Sequence, residues 1–156
     1  MYTIIANIFA LLLLLATIQS TGFFLFKLKV KFPEWLFFNP CSISNIIFLI
    51  GYFVFKTTEI KMITYISTLP MFFFGTLGMF FLPWKGMNII PQIGHLIMTG
   101  NIFLLVYGTM VQKNFMNSTL GLLISIFIFS PFIAIQQKYV KEHPERFKEI
   151  LFNRPA

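Results

Sequence analysis

Five long apolar runs organise this chain, and no charged residue lies centrally in any of them. Their ends are set to within several residues, at about 2–26, 36–55, 62–82, 88–111 and 118–137, and all 17 charges fall between or after them. About 20 apolar residues is the length a helix needs to cross the hydrocarbon core of a bilayer. Backbone groups there must be satisfied within the segment or by a closed barrel, and these runs lack a barrel's alternation. Composition removes the other options. Of 156 residues, 57% are hydrophobic and only 11% charged, against about a quarter charged in a typical soluble domain. A soluble globular fold, a disordered tail and a nucleic-acid reader working in water are excluded. The expected fold class is all-α: a polytopic membrane protein, with a bundle of about five transmembrane helices over 1–138 and a basic amphipathic tail over 139–156.

The charges also carry an orientation. Lys27, Lys29, Lys31 and Lys85 fall on the same side as the tail residues Lys138, Lys141, Arg146, Lys148 and Arg154, whereas Lys56, Lys61 and Lys113 fall on the other. Nine basic residues against three places the C-terminus in the cytoplasm and the N-terminus outside. The first run lacks a basic leader and is longer than a signal-peptide core, so it reads as the first membrane helix. The single cysteine, Cys41, allows no internal disulfide.

Punctuation along the chain refines the elements. Lys31-Phe32-Pro33-Glu34-Trp35 reads as an interfacial elbow, with Trp35 at headgroup level. Asn39-Pro40-Cys41 reads as a helix start, with Asn39 as N-cap and Pro40 at the first helical position. Leu36-Phe37-Phe38 is then expected to enter the bilayer before helical geometry begins. Pro70, followed by Gly75 and Gly78, predicts a kinked third span with close backbone contacts beyond it. Asn117-Ser118-Thr119 reads as the cap of the fifth span. In the tail, Phe147, Ile150 and Leu151 recur at helical spacing, which predicts an amphipathic helix lying on the inner leaflet.

Reactive groups within the spans are scarce. Intramembrane charges are the usual marks of proton relays, ion paths and voltage sensors, and their absence argues against those functions. A thiol and an imidazole are left. Cys41 sits in the first turn of a helix, at the positive end of the macrodipole where negative charge is favoured. His95 lies about 10 Å inside the fourth span, which enters from the same side. The two therefore share a leaflet, and an imidazole there can serve a thiol as its base. Asn88, Gln92, His95 and Thr99 are spaced by four, three and four, so they share one face of a regular helix. Cys41, Ser44 and Asn45 form a second polar face at similar depth. Together they predict a polar cavity opening toward the inner leaflet, with Gln92, Ser44, Asn45 or Thr99 as substrate- or oxyanion-binding groups. The same residues admit plainer roles. A lone cysteine in an apolar protein is often a small buried hydrophobe, and a membrane histidine often bonds between helices. Two histidines on separate segments make no metal or haem site, and no cofactor is expected.

Asn39-Pro40-Cys41 at a helix start, Phe-Leu-Pro at 81–83 and Ile93-Gly94-His95 follow in order, and together they resemble the YwaF-type integral membrane family over about residues 39–111. That family includes bacterial proteins and a vertebrate branch, which is similar in its Asn-Pro-Cys start and downstream membrane His; Ser42 stands where that branch has His. The resemblance implies a cysteine-dependent acyltransferase that moves fatty acyl chains onto ether phospholipids, with Cys41 as acyl-carrying nucleophile and His95 as its base. The leading expectation is thus acyl transfer or ester cleavage on a membrane lipid. The alternative is a non-catalytic small subunit that scaffolds or regulates a larger membrane complex, and a passage for a neutral solute is a third reading. Membrane lipids are the expected partners in each case, with protein partners or self-association open and nucleic acid excluded.

Overall fold

A computed structural model describes residues 2–81 and 89–152. Within them the chain is an all-α polytopic membrane protein whose elements follow the apolar runs closely. Helix α1 (Tyr2–Gly22) continues through a wider π turn (Phe23–Lys27) into a short link and the elbow helix α2 (Phe32–Phe38). Helix α3 spans Pro40–Thr58. The third span is broken into α4 (Lys61–Ile66), α5 (Thr68–Pro70), a π-helical stretch Met71–Leu77 and α6 (Gly78–Phe81). Helices α7 (Ile89–Gln112), α8 (Phe115–Glu142) and α9 (Pro144–Phe152) complete the described chain. Five of these segments are long and apolar enough to cross a membrane.

The local chemistry differs from the sequence reading in four places. Leu36, Phe37 and Phe38 are helical, as the last turn of α2. Pro33 occupies its first turn, and the Glu34 carboxylate accepts the Lys31 backbone N–H at 3.3 Å. Asn39 does precede α3, but its side chain makes no cap; its amide donates instead to Ser20 Oγ on α1 at 3.1 Å. Trp35 is buried rather than displayed at headgroup level. The fifth span starts at Phe115, behind Asn114, and not at the Asn117-Ser118-Thr119 cluster.

Helix α1 packs against α3 and α7. The third span packs its first half on α8 and its π-helical half on α7 and α3. Pro70 leaves its amide position without a donor, and the wider turn of 71–77 takes up the break. The expected close contacts follow: a Cβ built on Gly75 would stand 2.8 Å from Met98 Cβ on α7. One apolar cluster centres on Leu13, Phe48, Met71 and Met98.

A second cluster, formed by Phe24, Val30, Trp35, Phe38 and Ile150, joins the elbow to the tail. Helix α8 continues past residue 138 to Glu142 and turns at His143, so that α9 folds back and buries Ile150 against protein rather than lipid. Tyr139 stacks on Phe37 with ring centroids 4.5 Å apart. Arg146 bridges α9 to Glu34 of the elbow at 3.6 Å and hydrogen-bonds Glu149 at 2.8 Å. The Glu149 bond is the main reason its pKa is raised; partial burial opposes this and Glu34 adds to it. Exposed pairs of this kind contribute about 1 kcal/mol or less, whereas emptying a buried aromatic site costs about 3–5 kcal/mol. Trp35→Ala should therefore lower the unfolding free energy several-fold more than Glu34→Gln. Unfolding of the solubilised protein followed by circular dichroism checks the ranking, and equal losses would contradict it.

Candidate functional site

Cys41 is the second residue of α3, held at the helix mouth by Pro40 and by the tie from Asn39 to α1. His95 lies in the second turn of α7 and is 5% exposed. Cys41 Sγ stands 3.2 Å from His95 Nε2, and the thiol also has the Phe74 carbonyl oxygen within 3.3 Å as an acceptor. Three elements thus converge on the sulfur: α3 carries it, α7 supplies the imidazole, and the π-helical stretch supplies a carbonyl. Gly78 lies beside the ring, where a Cβ would stand 3.8 Å from His95 Nε2, in ordinary van der Waals contact. Thr99 anchors the helix behind the ring. Its hydroxyl donates to the His95 carbonyl at 2.9 Å and meets Thr76 Oγ1 at 3.2 Å.

Beside the pair lies a cavity of about 820 Å³, within the usual range for ligand sites. Its wall is mostly apolar, from Leu12 and Leu15 on α1 to Phe73 and Leu77 on the third span and Ile93 on α7. Polar groups in the wall include Cys41, Ser42, Asn45 and His95. The cavity occupies the end of the bundle where α1 finishes and α3 and α7 begin. Phe147 of α9 forms part of its wall. Among the described residues, Lys27, Lys29, Lys31, Lys138, Lys141, Arg146 and Lys148 cluster at this end.

The structure separates the expected site residues. Cys41, His95 and Asn45 come together in the wall. Gln92 is buried but does not line the cavity, and neither do Ser44 and Thr99. The Ser44 hydroxyl donates back to the Pro40 carbonyl at 2.9 Å, a bond within its own helix. Asn88 lies outside the described residues. Two contributors went unread in the sequence. Ser42 lines the cavity, and its hydroxyl has no hydrogen-bond partner among the described residues; its position directly after Cys41 was the available signal. The Phe74 carbonyl is a backbone group and leaves no signature in side-chain spacing. Among the described residues no three of His, Cys, Asp and Glu come together as metal ligands.

Comparison with protein-family models, with curated proteins and with solved structures finds no match to this chain.

Proposed function

We propose that the protein acts on ester-linked acyl chains of membrane lipids, as an acyltransferase or lipid ester hydrolase, with Cys41 as nucleophile and His95 as its base. The observation that supports this most is the 3.2 Å approach of Sγ to Nε2 in the wall of a large, mostly apolar cavity. Nucleophile and base within hydrogen-bond reach are the structural signature of covalent catalysis, and the cavity provides apolar room for a fatty chain. The likeness to the YwaF-type family in Asn39-Pro40-Cys41 and Ile93-Gly94-His95 supports the same assignment. The nine-to-three division of basic residues supports a cytoplasmic C-terminus, with the cavity end at the inner leaflet.

In this reading Sγ attacks the ester carbonyl while Nε2 takes the thiol proton. A C–S bond forms, the C–O bond breaks, and the departing alkoxide receives the proton back from His95. The oxyanion formed on the way needs donors aimed into the cavity. Asn45 and Ser42, two residues of its wall, are the candidates for that role, whereas Gln92, Ser44 and Thr99 would support the site from behind it.

Incubation of the solubilised protein with p-nitrophenyl palmitate tests the proposal. A palmitoyl adduct on Cys41, seen by intact and peptide mass spectrometry and removed by hydroxylamine, is the expected result. A protein that stays unacylated while folded would overturn it.

A further inference from the structure

We propose that Met98 and Phe48 form the floor at which an acyl chain on Cys41 ends, and so set the length of fatty chain the protein accepts. The inference rests on the acyl-transfer reading of Cys41 and His95 and adds which chains that site takes.

The cavity beside Cys41 has a second one beyond it. Among the described residues, the first is lined as far as Leu12 on α1, Asn45 on α3 and Met98 on α7. Farther along the same three helices, a cavity of about 140 Å³ begins at Ala6, Phe48 and Asn101. The order is the same on each helix, so the two spaces lie in line along the bundle. On α3 and α7 a step of three residues separates them, about 4.5 Å of rise. The partition is apolar. Leu13, Phe48, Met71 and Met98 pack together there, none of them more than 4% exposed.

Met98 lines the inner cavity and Phe48 the outer one. A chain coming from Cys41 therefore meets Met98 first, with Phe48 behind it. Neither is loosely held. The Met98 side chain lies against Gly75, where an added Cβ would stand 2.8 Å from its Cβ and 2.9 Å from its Cε. Phe48 stacks on Tyr52 with ring centroids 6.1 Å apart, and the Tyr52 hydroxyl donates to Asn7 on α1 at 2.5 Å.

The bilayer fixes the direction of the chain. Headgroups of the inner leaflet lie at the basic end of the bundle, and their hydrocarbon lies deeper. An acyl group taken by Cys41 at the mouth of α3 thus points its methyl end toward the partition. From Cys41 to Phe48 is a step of seven residues, about 10 Å of rise, which is shorter than an extended palmitoyl chain. Longer chains must bend within the cavity or press on the floor. A hydrophobic wall of this kind distinguishes one methylene by about tenfold or more.

The test uses the full-length protein in detergent, given an equimolar mixture of p-nitrophenyl esters with even saturated chains from eight to twenty carbons. Each acyl group that Sγ takes releases p-nitrophenol, and intact mass spectrometry reads the share of each chain among the Cys41 adducts. Shares within one vessel do not depend on how much of a variant is folded, and partition of the esters into detergent is the same for every variant. Wild type should show a cutoff, the share falling by about tenfold or more from one chain length to the next. Phe48→Ala and Met98→Ala each remove part of the partition and should raise the share of chains beyond the cutoff by about tenfold or more. Ile50→Ala, on the exposed side of α3, should leave the distribution unchanged. A wild-type distribution without a cutoff, a folded floor variant that leaves the cutoff in place, or an equal shift in Ile50→Ala would overturn the inference. The wild-type distribution decides the matter even where neither floor variant folds. Absence of any Cys41 adduct would remove the acyl-transfer reading itself; adducts indifferent to the partition remove only the floor.

Discussion

His95→Ala should slow acylation of Cys41 by a factor on the order of 10²–10⁴, the usual contribution of a positioned general base, and Cys41→Ala should leave no adduct at all. The expectation follows from the contacts of the sulfur. Nε2 at 3.2 Å is a base that can carry the thiol proton away, whereas the Phe74 carbonyl oxygen beside the sulfur cannot. The rate of p-nitrophenolate release in the first turnover measures the effect. A structural role for His95 predicts a different pattern. If the imidazole acts as base, the alanine variant should recover rate as the pH is raised, because hydroxide takes over removal of the thiol proton. If the ring only fills space between α3 and α7, the loss should persist at every pH and be accompanied by a lower unfolding midpoint. The second pattern would end the assignment of His95 as base.

A second effect on stability is expected at Gly121, far along the chain from Cys41 and His95. A Cβ added there would stand 2.5 Å from Tyr65 Cβ and 2.8 Å from the Met62 carbonyl oxygen. Neither is the far end of a flexible side chain, so α8 would have to move off α4. Forced overpacking of this kind costs about 1–3 kcal/mol, and a clash with backbone puts Gly121→Ala at the upper end. Gly94 is the matched control, since a Cβ there meets nothing within 4 Å. Gly94→Ala should fold like wild type, and Gly121→Ala should unfold at markedly lower denaturant in a titration of the solubilised protein. Equal midpoints would mean that α8 does not sit against α4 this closely.

The spans were legible in the sequence because hydrocarbon thickness sets a length that unbroken apolar runs match directly. The reactive pair was legible for a related reason: a cysteine behind Asn-Pro and a histidine two turns into a span entering from the same side must share a leaflet. What the sequence left open were choices among surfaces of equal chemistry. The apolar face of α9 would suit lipid as well as protein, and only the fold shows Ile150 buried against the elbow. Trp35 posed the same question and found the same cover. Helical spacing put Ser44 and Asn45 on the cysteine's side of α3 but did not say that Asn45 would face the cavity while Ser44 bonded back to Pro40. A one-residue step is 100° of rotation, and the neighbouring helices decide which side is wall. Asn39 misled for another reason. A residue suited to capping is also a good interhelical donor, and Ser20 lay within reach.

The π-helical stretch Met71–Leu77 makes two differently phased helices out of one membrane crossing. Before it, Tyr65 accepts from Thr109 at 2.9 Å, the Leu69 amide donates to Ser125 at 3.3 Å, and the segment lies along α8. After it, Gly75 and Gly78 face Met98 and His95. An unbroken α-helix would carry a single phase through and could not match both neighbours as closely. The crossing therefore works as a splice, which lets each half settle against its own partner. Damage to one half should then add to damage in the other rather than multiply it. A protein loosened at Gly121 should unfold more easily yet, while folded, acylate Cys41 at the wild-type rate.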